Sequence, residues 1–310
     1  MHQDAAEWFA RRTSRSADWL PERIADLKRE QGVTVSVVIP ARNEEHTIAD
    51  VVRQIRRELI EQVPIVDELL VIDSMSDDAT SERAQAEGAQ VWHVADVVPQ
   101  LGVAAGKGEA MWKSLFVTRG ELLVFIDADL TEWGAHFVTG LLGPLLSDQK
   151  TLLVKGFYDR VSDLDGVRST EGGRVTELVA RPLISLGWPE LAAVVQPLAG
   201  EWAIRRHLFE QLPVPVGYGV ELATLLDTAE RHGLDAIAQV DLGRRAHHHQ
   251  SVHDLGVMAT EILHVAQRRS GGATRPSVVL DQYDAGTLSW RQRPVPVAER
   301  PPMMTVADRC

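Results

Sequence analysis

The chain has 310 residues, of which 45% are hydrophobic and 25% are charged, and its formal net charge is −12 at pH 7. This length allows one large α/β domain or two smaller domains with a substantial core. The negative charge argues against general binding to nucleic acid or to a membrane surface, so an anionic ligand would need local basic side chains.

Cysteine content and the length of apolar runs bear on the cellular location. The chain contains a single cysteine, Cys310, so an internal disulfide is impossible and a reducing compartment is expected. The first residues lack the apolar core of a signal peptide, and no apolar run approaches the roughly 20 residues that span a bilayer. We therefore expect a soluble, cytoplasmic protein with no membrane partner and no nucleic-acid partner.

Strand and helix patterns alternate along the first half of the chain. A helical arm is predicted at 1–30, where apolar residues recur at roughly helical spacing. Apolar runs rich in β-branched residues then predict strands at 33–40, 67–74, 89–94 and 121–129. Helical periodicity predicts helices between them at 44–62, 78–88 and 106–120. This alternation predicts an α/β fold with a mostly parallel, Rossmann-like sheet that has helices on both faces.

The second half of the chain is less regular. Strands are predicted at 151–159 and 234–243, and helices at 220–233 and 252–269. A loop that leads into a helix is predicted at 172–188, and a strand, turn and helix at 194–212. From residue 270 onward the sequence is rich in Gly and Pro, which favours a partly ordered tail.

Polar side chains follow the predicted strands of the first half at the point where each strand ends. Ligands of open α/β sheets bind beyond the carboxyl ends of the strands, so we expect these stretches to meet in one pocket. Asp73 and Glu44 could accept hydrogen bonds from a ribose or a base. Asn43 and Asp78 could instead cap the helices that follow, which would be worth about 1 kcal/mol.

Two carboxylates, Asp127 and Asp129, flank Ala128 directly after the apolar run LLVFI. Their side chains start on the same side of the backbone, where two oxygens suit Mg²⁺ or Mn²⁺ and the metal would bridge the phosphates of a nucleotide. A solvated turn is the alternative for so short a pattern. The position at the carboxyl edge of a sheet favours a metal site.

Basic side chains occur in two notable stretches. Lys107 lies between Gly106 and Gly108 before a helix, where the backbone could approach a phosphate, although a plain turn accounts equally well for the pattern. The stretch GRRAHHHQSVH at 243–253 could supply an arginine to a diphosphate and a histidine to a metal that carboxylates already hold. A solvated basic loop is the alternative reading of that stretch.

Further candidates in the second half lie beside glycines. Arg174 and Thr176, at a predicted helix start, could bind a phosphate or carboxylate or could only cap the helix. Tyr218 and Glu221 precede another helix, where Glu221 could equally compensate the helix dipole. Glu201 is a possible acid facing a sugar.

Several stretches together resemble a known family. VSVVIPARNEE, ELLVIDSMSDDAT, GKGEAMWKS and LLVFIDADL resemble the nucleotide-sugar-binding half of glycosyltransferases with the GT-A fold. GGRVTELVARPL, QPLAGEWA, PVGYGVE and RAHHHQSVHDLGVMA are similar to the glucosyl-3-phosphoglycerate synthase family. The resemblance covers roughly residues 20–270. It implies a retaining, metal-dependent transfer of glucose from UDP-glucose to the 2-hydroxyl of 3-phosphoglycerate, the first committed step towards methylglucose lipopolysaccharides.

The resemblance also implies a role for individual residues. Those implied for the donor are Pro40, Ala41, Glu44, Ser74, Lys107, Asp127, Ala128, Tyr218, Glu221 and Arg245. Those implied for the acceptor are Gly173, Arg174, Val175, Thr176 and His249. Asp129, His247 and Asp127 would bind the metal, Mg²⁺ or Mn²⁺, and Asp129, Lys107 and Glu221 would act in catalysis. In the family the position of His249 is often Asn, which bears on acceptor binding and not on the metal. The position of Ala128 is usually Ser, a difference that matters little because the backbone makes the contact there.

The same resemblance divides the chain and leaves alternatives. It implies an arm at 1–30, a nucleotide-sugar-binding half at 31–150, an acceptor-binding and metal-completing half at 151–270, a tail at 271–310, and a homodimer. A GDP-mannose-dependent mannosyl-3-phosphoglycerate synthase, a polyprenyl-phosphate glycosyltransferase and a non-catalytic nucleotide-sugar sensor remain possible. Because no nucleophile can be assigned, we favour same-face attack, in which the leaving phosphate takes the proton of the acceptor.

Overall fold

The structure, a computed structural model, describes residues 3–164, 167–169, 173–246 and 251–306. The strands are β1 (Thr13–Arg15), β2 (Val35–Ala41), β3 (Glu68–Asp73), β4 (Gln90–His93), β5 (Leu122–Phe125), β6 (Leu153–Leu164), β7 (Val167–Ser169), β8 (Trp202–Arg205), β9 (Val214–Pro215), β10 (Ile237–Ala246), β11 (Val278–Asp284), β12 (Ser289–Val295) and β13 (Glu299–Arg300). The helices are α1 (Gln3–Arg12), α2 (Pro21–Gln31), α3 (Ile48–Arg56), α4 (Thr80–Ala86), α5 (Lys107–Ser114), α6 (His136–Ser147), α7 (Arg181–Gly187), α8 (Arg206–Phe209), α9 (Val220–His232) and α10 (Val252–Arg269). A π-helical turn, Arg57–Gln62, extends α3, and a second, Thr176–Ala180, precedes α7.

The main sheet confirms the predicted α/β class. Its strand order is β1-β10-β6-β8-β5-β2-β3-β4, with β7 paired to β6. β8 runs antiparallel to both of its neighbours and β7 runs antiparallel to β6, whereas the other neighbouring strands are parallel. The parallel strands therefore bring their carboxyl ends to one edge of the sheet.

Apolar layers cover both faces of this sheet. Successive side chains of a strand point to opposite faces, so Ile39 joins one core cluster and Val38 joins the other. The first cluster lies under α2, α3 and α6, and the second lies under α1, α5 and α9. Burial on both faces explains why β2 and β5 consist almost entirely of apolar residues.

The predicted helical arm at 1–30 contains two helices. It also contains a strand that the sequence did not predict. Trp8 of α1 is 1% exposed, and its indole N–H donates to the backbone oxygens of Leu234 and Ile237. β1 then adds a parallel strand to the edge of the sheet beside β10. Pro21 is the first residue of α2, a position that proline tolerates because its nitrogen needs no partner there.

Helix α6 has no counterpart in the prediction. Its sequence, HFVTGLLGPLLS, is buried along almost its whole length. A helix that is hydrophobic on all sides shows no amphipathic period, and the internal Pro144 also argues against helix on sequence grounds. Among the described residues, no helix, α6 included, is both long and apolar enough to cross a membrane.

Residues 271–306 differ from the partly ordered tail that is predicted from residue 270 onward. β11 and β12 form an antiparallel hairpin, and β13 pairs with β9 far earlier in the chain. Gly and Pro content predicts little here, because the pairing of β13 is set by a strand more than eighty residues away. The division into four segments stays a prediction.

One close contact makes α6 testable. Gly143 lies against Trp19, and a Cβ at this position would overlap the indole ring. Gly143→Ala is therefore expected to lower the free energy of unfolding by about 1–3 kcal/mol, measured by urea denaturation. Gly187→Ala, where the added Cβ meets open space, is the matched control and should change the stability far less. Equal losses in the two variants would contradict the packing argument.

Candidate active site

The carboxyl edge of the main sheet gathers charged side chains from four places. Asp127 and Asp129 follow β5, Arg245 lies near the end of β10, Lys107 begins α5, and Glu221 lies in the first turn of α9. For the residues that follow β5 this convergence is predicted, because the carboxyl ends of parallel strands meet at the edge where ligands bind. The structure brings all five together in one network of ion pairs.

Lys107 lies between two carboxylates. Its Nζ is 2.6 Å from Asp127 Oδ1 and 2.7 Å from Glu221 Oε1. Burial lowers the pKa of Lys107, but the charges of Asp127 and Glu221 outweigh it and raise the pKa above the usual lysine range. The side chain is therefore a fixed cation at neutral pH, suited to an anionic ligand.

Arg245 occupies the space between the two aspartates. Its Nη2 is 3.2 Å from Asp127 Oδ2 and 2.7 Å from Asp129 Oδ1, while Nη1 donates to the hydroxyl of Tyr158 at 2.5 Å. This guanidinium offsets the repulsion between the two carboxylates. Burial raises the pKa of Asp127, but Lys107 and Arg245 together hold it well below the usual range.

Glu201 and Lys155 complete the buried side of the network. Arg245 Nη1 is 2.9 Å from Glu201 Oε1, and the Glu201 side chain is fully buried, so it does not face the open edge as a sugar-binding acid would. Burial raises the pKa of Glu201 and lowers that of Lys155 to about 8. Lys155 Nζ donates to the Ala199 oxygen at 2.8 Å. The sequence signal for Lys155 is a lone charge inside the apolar run LLVKGF.

The residues implied for the nucleoside lie at the ends of β2 and β3. Burial, followed by the charge of Asp129, raises the pKa of Glu44 to about 7, so this carboxyl lies near the aspartates. Pro40 and Ala41 are the last residues of β2. Ser74 is buried, and its Oγ has no hydrogen-bond partner among the described residues. An unpaired buried hydroxyl is costly, so Ser74 is well suited to bind a ligand.

Asp73 and Asn43 have a different role from the one considered for them. Asp73 Oδ1 accepts from the Ser76 N–H at 2.8 Å, and its other oxygen accepts from Ser81 Oγ. Asn43, in the left-handed region with φ +57°, accepts from the Asp77 N–H at 3.0 Å. Both side chains therefore hold the turns after β2 and β3 together.

The glycines beside Lys107 serve a contact between two chain segments. A Cβ on Gly106 or Gly108 would overlap the backbone of residues 215–217. The N–H groups of Gly108 and Glu109 donate to Gly217 and Val216 at 3.3 and 2.8 Å. Glycine is needed here because two backbones meet, and not only for the approach of a phosphate.

Tyr218 is supported from behind by a carboxylate that the sequence did not single out. The Tyr218 N–H donates to Glu261 Oε2 at 2.5 Å, and a Cβ on Gly217 would overlap the same carboxylate. Glu261 is 3% exposed, and burial, assisted by the charge of Glu221, raises its pKa to about 7. The Tyr218 ring, in contrast, is 42% exposed beside the network.

The acceptor residues begin a helical segment. Gly173 accepts from the Glu177 N–H at 2.9 Å, Val175 and Thr176 are buried, and Arg174 is exposed. Their contact with an acceptor stays a prediction. His247 and His249 lie outside the described residues, so their predicted roles also stay predictions.

The carboxylates present fit a hard divalent metal in part. Within the described ranges no group of three or more His, Cys, Asp or Glu side chains is arranged around a common point. The two carboxylates supply the oxygen donors that Mg²⁺ and Mn²⁺ prefer. The Asp129 side chain is 35% exposed and that of Asp127 is 20% exposed, with both Asp127 oxygens bound by Lys107 and Arg245. Asp129 is therefore the better placed ligand.

Comparisons with known proteins point to one family. Residues 36–209 match the family model described as glycosyl transferase family 2. The chain is 46% identical over 287 residues to glucosyl-3-phosphoglycerate synthase of Mycobacterium tuberculosis, an alignment that covers 90% of this chain and 87% of that protein. It is 41% identical over 296 residues to glucosyl-3-phosphoglycerate synthase of Petrotoga mobilis, an alignment that covers 93% of this chain and 91% of that protein.

Solved structures give the same picture. The crystal structure of the M. tuberculosis synthase with phosphoglyceric acid has a TM-score of 0.85 at 42% identity and covers 95% of this chain and 98% of that chain. The structure of that synthase with Mn²⁺ and UDP-glucose has a TM-score of 0.84 at 43% identity and covers 93% of this chain and 95% of that chain. At these identities the likeness extends beyond the fold to the family.

The raised pKa of Glu261 predicts a pH dependence of stability. The folded protein keeps this proton up to about pH 7, whereas the unfolded chain releases it near the ordinary value of 4.5. The stability associated with the protonated group is thus complete below pH 4.5 and is lost as the pH rises through 7. Relative to Glu261→Gln, the wild type should lose about 1–3 kcal/mol across that interval in denaturant titrations. Glu230→Gln, at an exposed position of α9, should follow the wild type, and a matching profile for Glu261→Gln would contradict the assignment.

Proposed function

The chain belongs to the glucosyl-3-phosphoglycerate synthases of glycosyl transferase family 2, and on this premise we propose that it transfers glucose from UDP-glucose to 3-phosphoglycerate in a metal-dependent reaction. The observation that carries the proposal is the ion network in which Lys107 and Arg245 hold Asp127 and Asp129 at the carboxyl edge of the sheet. Related crystal structures contain Mn²⁺, UDP-glucose and phosphoglyceric acid together, which supports the same reaction here.

The two cations of the network would bind the diphosphate of the donor. Lys107 and Arg245 are both charged and held in place by carboxylates, so their orientation is set before the donor binds. Asp129, with His247 as predicted partner, would hold the metal, which supplies charge neutralisation for the departing UDP. Asp127 keeps Lys107 in position.

The nucleoside would lie against the ends of β2 and β3. The unpartnered Ser74 Oγ and the half-buried Glu44 offer hydrogen-bonding groups to the ribose and the base. Glu44 with a pKa near 7 can donate as well as accept a hydrogen bond near neutral pH. Pro40 and Ala41 provide the adjoining backbone.

Same-face attack is the mechanism that the local charges favour. Glu221 and Asp127 are both paired with Lys107, which makes either carboxylate a poor nucleophile. The bond between the anomeric carbon of glucose and UDP would break, and the leaving phosphate would take the proton of the 2-hydroxyl of the acceptor. The acceptor oxygen would bond to that carbon on the same face, so the configuration of the sugar is retained. Tyr218 and Glu221 would line the sugar pocket.

The acceptor is an anion and must approach an acidic protein. The exposed Arg174, at the start of a helical segment, offers a local positive site. Gly173, Val175 and Thr176 would complete this site through their backbone and hydroxyl groups. We also propose a cytoplasmic location, in keeping with the single cysteine, and a homodimer as the family resemblance implies.

A donor panel tests the function. Purified protein with Mn²⁺ and 3-phosphoglycerate would be offered UDP-glucose, ADP-glucose, GDP-glucose and GDP-mannose, and sugar transfer would be followed by mass spectrometry. We expect transfer from UDP-glucose that disappears with EDTA. Transfer from GDP-mannose alone would identify a mannosyltransferase, and no transfer from any donor would overturn the proposed activity.

Asp129 can be tested separately from the fold. Asp129→Asn should lower kcat at least about 100-fold and weaken Mn²⁺ binding measured by electron paramagnetic resonance, because a neutral amide is a poorer ligand. The melting temperature should stay near the wild-type value. Asp281→Asn, at an exposed position of β11, is the matched control and should keep full activity. Undiminished Mn²⁺ binding in Asp129→Asn would refute the ligand assignment.

A further inference from the structure

Residues 296–302 cross the back of the donor site rather than trailing away from it. β13 pairs antiparallel with β9, with Glu299 opposite Pro215 and Arg300 opposite Val214. The Val216 N–H donates to the Ala298 oxygen at 3.0 Å. The chain that leads into Tyr218 is therefore hydrogen-bonded through its backbone to this segment as well as to the start of α5, and the segment lies outside the part of the chain that matches the family model.

Arg300 binds the helix that begins with Lys107. Its Nε and Nη2 donate to the two oxygens of Glu109, each at 2.6 Å, and Nη1 donates to the Leu101 oxygen at 2.8 Å. The guanidinium also lies 5.2 Å from the ring centre of Trp112, whose indole N–H donates to the Pro301 oxygen at 2.8 Å. Residues 101–112 thus contact two consecutive residues, Arg300 and Pro301.

Glu109 needs this arginine because it is fully buried. The next cation, Lys113, has its Nζ 3.7 Å away and donates to the oxygens of Val94 and Gly102. Without Arg300, the carboxylate would keep only this longer interaction and the Ala104 N–H, which donates to Glu109 Oε1 at 3.3 Å. Breaking a buried pair by removing one partner is strongly unfavourable, so α5 is expected to shift.

The same segment also reaches α9, which carries Glu221. Glu299 pairs with Arg269 and lies 3.1 Å from Arg268, and Arg269 in turn binds Asp227 of α9 at 2.9 Å. Residues 296–302 thus contact α5 directly and α9 through Arg269, and Lys107 Nζ of α5 lies 2.7 Å from Glu221 Oε1 of α9. The segment therefore links the helix that carries Lys107 to the helix that carries Glu221.

We propose that residues 296–302, through Arg300, position Lys107 and the Tyr218–Glu221 side of the pocket for binding of the nucleotide sugar. This inference rests on the proposed function. Arg300 is a positioning residue, since it touches Glu109 and not the open edge where the substrate would bind.

Arg300→Met removes the charge while keeping a long apolar side chain. We expect the KM for UDP-glucose to rise about tenfold and kcat to fall, because Lys107 would bind the departing diphosphate. The KM for 3-phosphoglycerate should stay within about twofold of wild type, because the acceptor site is untouched. The KM of Arg300→Lys for UDP-glucose should lie between those of wild type and Arg300→Met, since one ammonium cannot reproduce the paired hydrogen bonds. Arg293→Met removes an arginine of β12 from an exposed pair with Asp254 and is the matched control, expected to match wild type.

Hydrogen–deuterium exchange gives a readout that needs no substrate. In Arg300→Met, the amides of residues 104–110 and 214–221 should exchange faster, while those of β2 and β5 keep their protection. Faster exchange across the whole sheet, or an unchanged KM for UDP-glucose in an active variant, would overturn the inference. If the wild type transfers no glucose, the proposed function fails by itself, and a local change in exchange would still support the positioning of Lys107.

Discussion

The site depends on an alternation of opposite charges that is largely shielded from water. Lys107 lies between Asp127 and Glu221, and Arg245 lies between Asp127 and Glu201, with every one of these side chains at most 20% exposed. Loss of one member would leave a neighbour as an uncompensated charge in a low-dielectric environment, at a cost of about 3–5 kcal/mol. The ion pairs that a charged substrate would meet are therefore also those that fix α5, α9 and β10 relative to one another.

The local sequence pattern predicted the helices and strands that have one apolar and one polar side, or polar residues at their ends. α10 begins and ends at the predicted residues 252 and 269, because a helical period follows Ser251, whose side chain caps the first turn. α6 has no polar side, so its twelve residues show no amphipathic period from which a helix could be predicted. Asp127 and Asp129 were predictable because the carboxyl ends of parallel strands meet at one edge. Glu201 was placed only by the antiparallel insertion of β8 between β5 and β6, which no local pattern specifies.

The glycines of the site illustrate a second limit. Glycine at positions 106 and 108 indicates that something comes close to the backbone, but the sequence does not say what. The structure brings residues 215–217 there, so these glycines join two segments that both carry site residues. The contact between Arg300 and Glu109 spans 191 residues and had no local signal, because both residues are common in exposed pairs.

The position of Arg300 has a consequence for synthesis of the protein on the ribosome. The strands and helices of the first half can form as soon as they emerge, and Glu109 is then already part of α5. Its counter-charge arrives only after almost two hundred further residues have been translated. If Arg300 positions Lys107, a nascent chain can form the strands of its first half long before Arg300 has been translated, and its affinity for a nucleotide sugar rises only once Arg300 reaches Glu109.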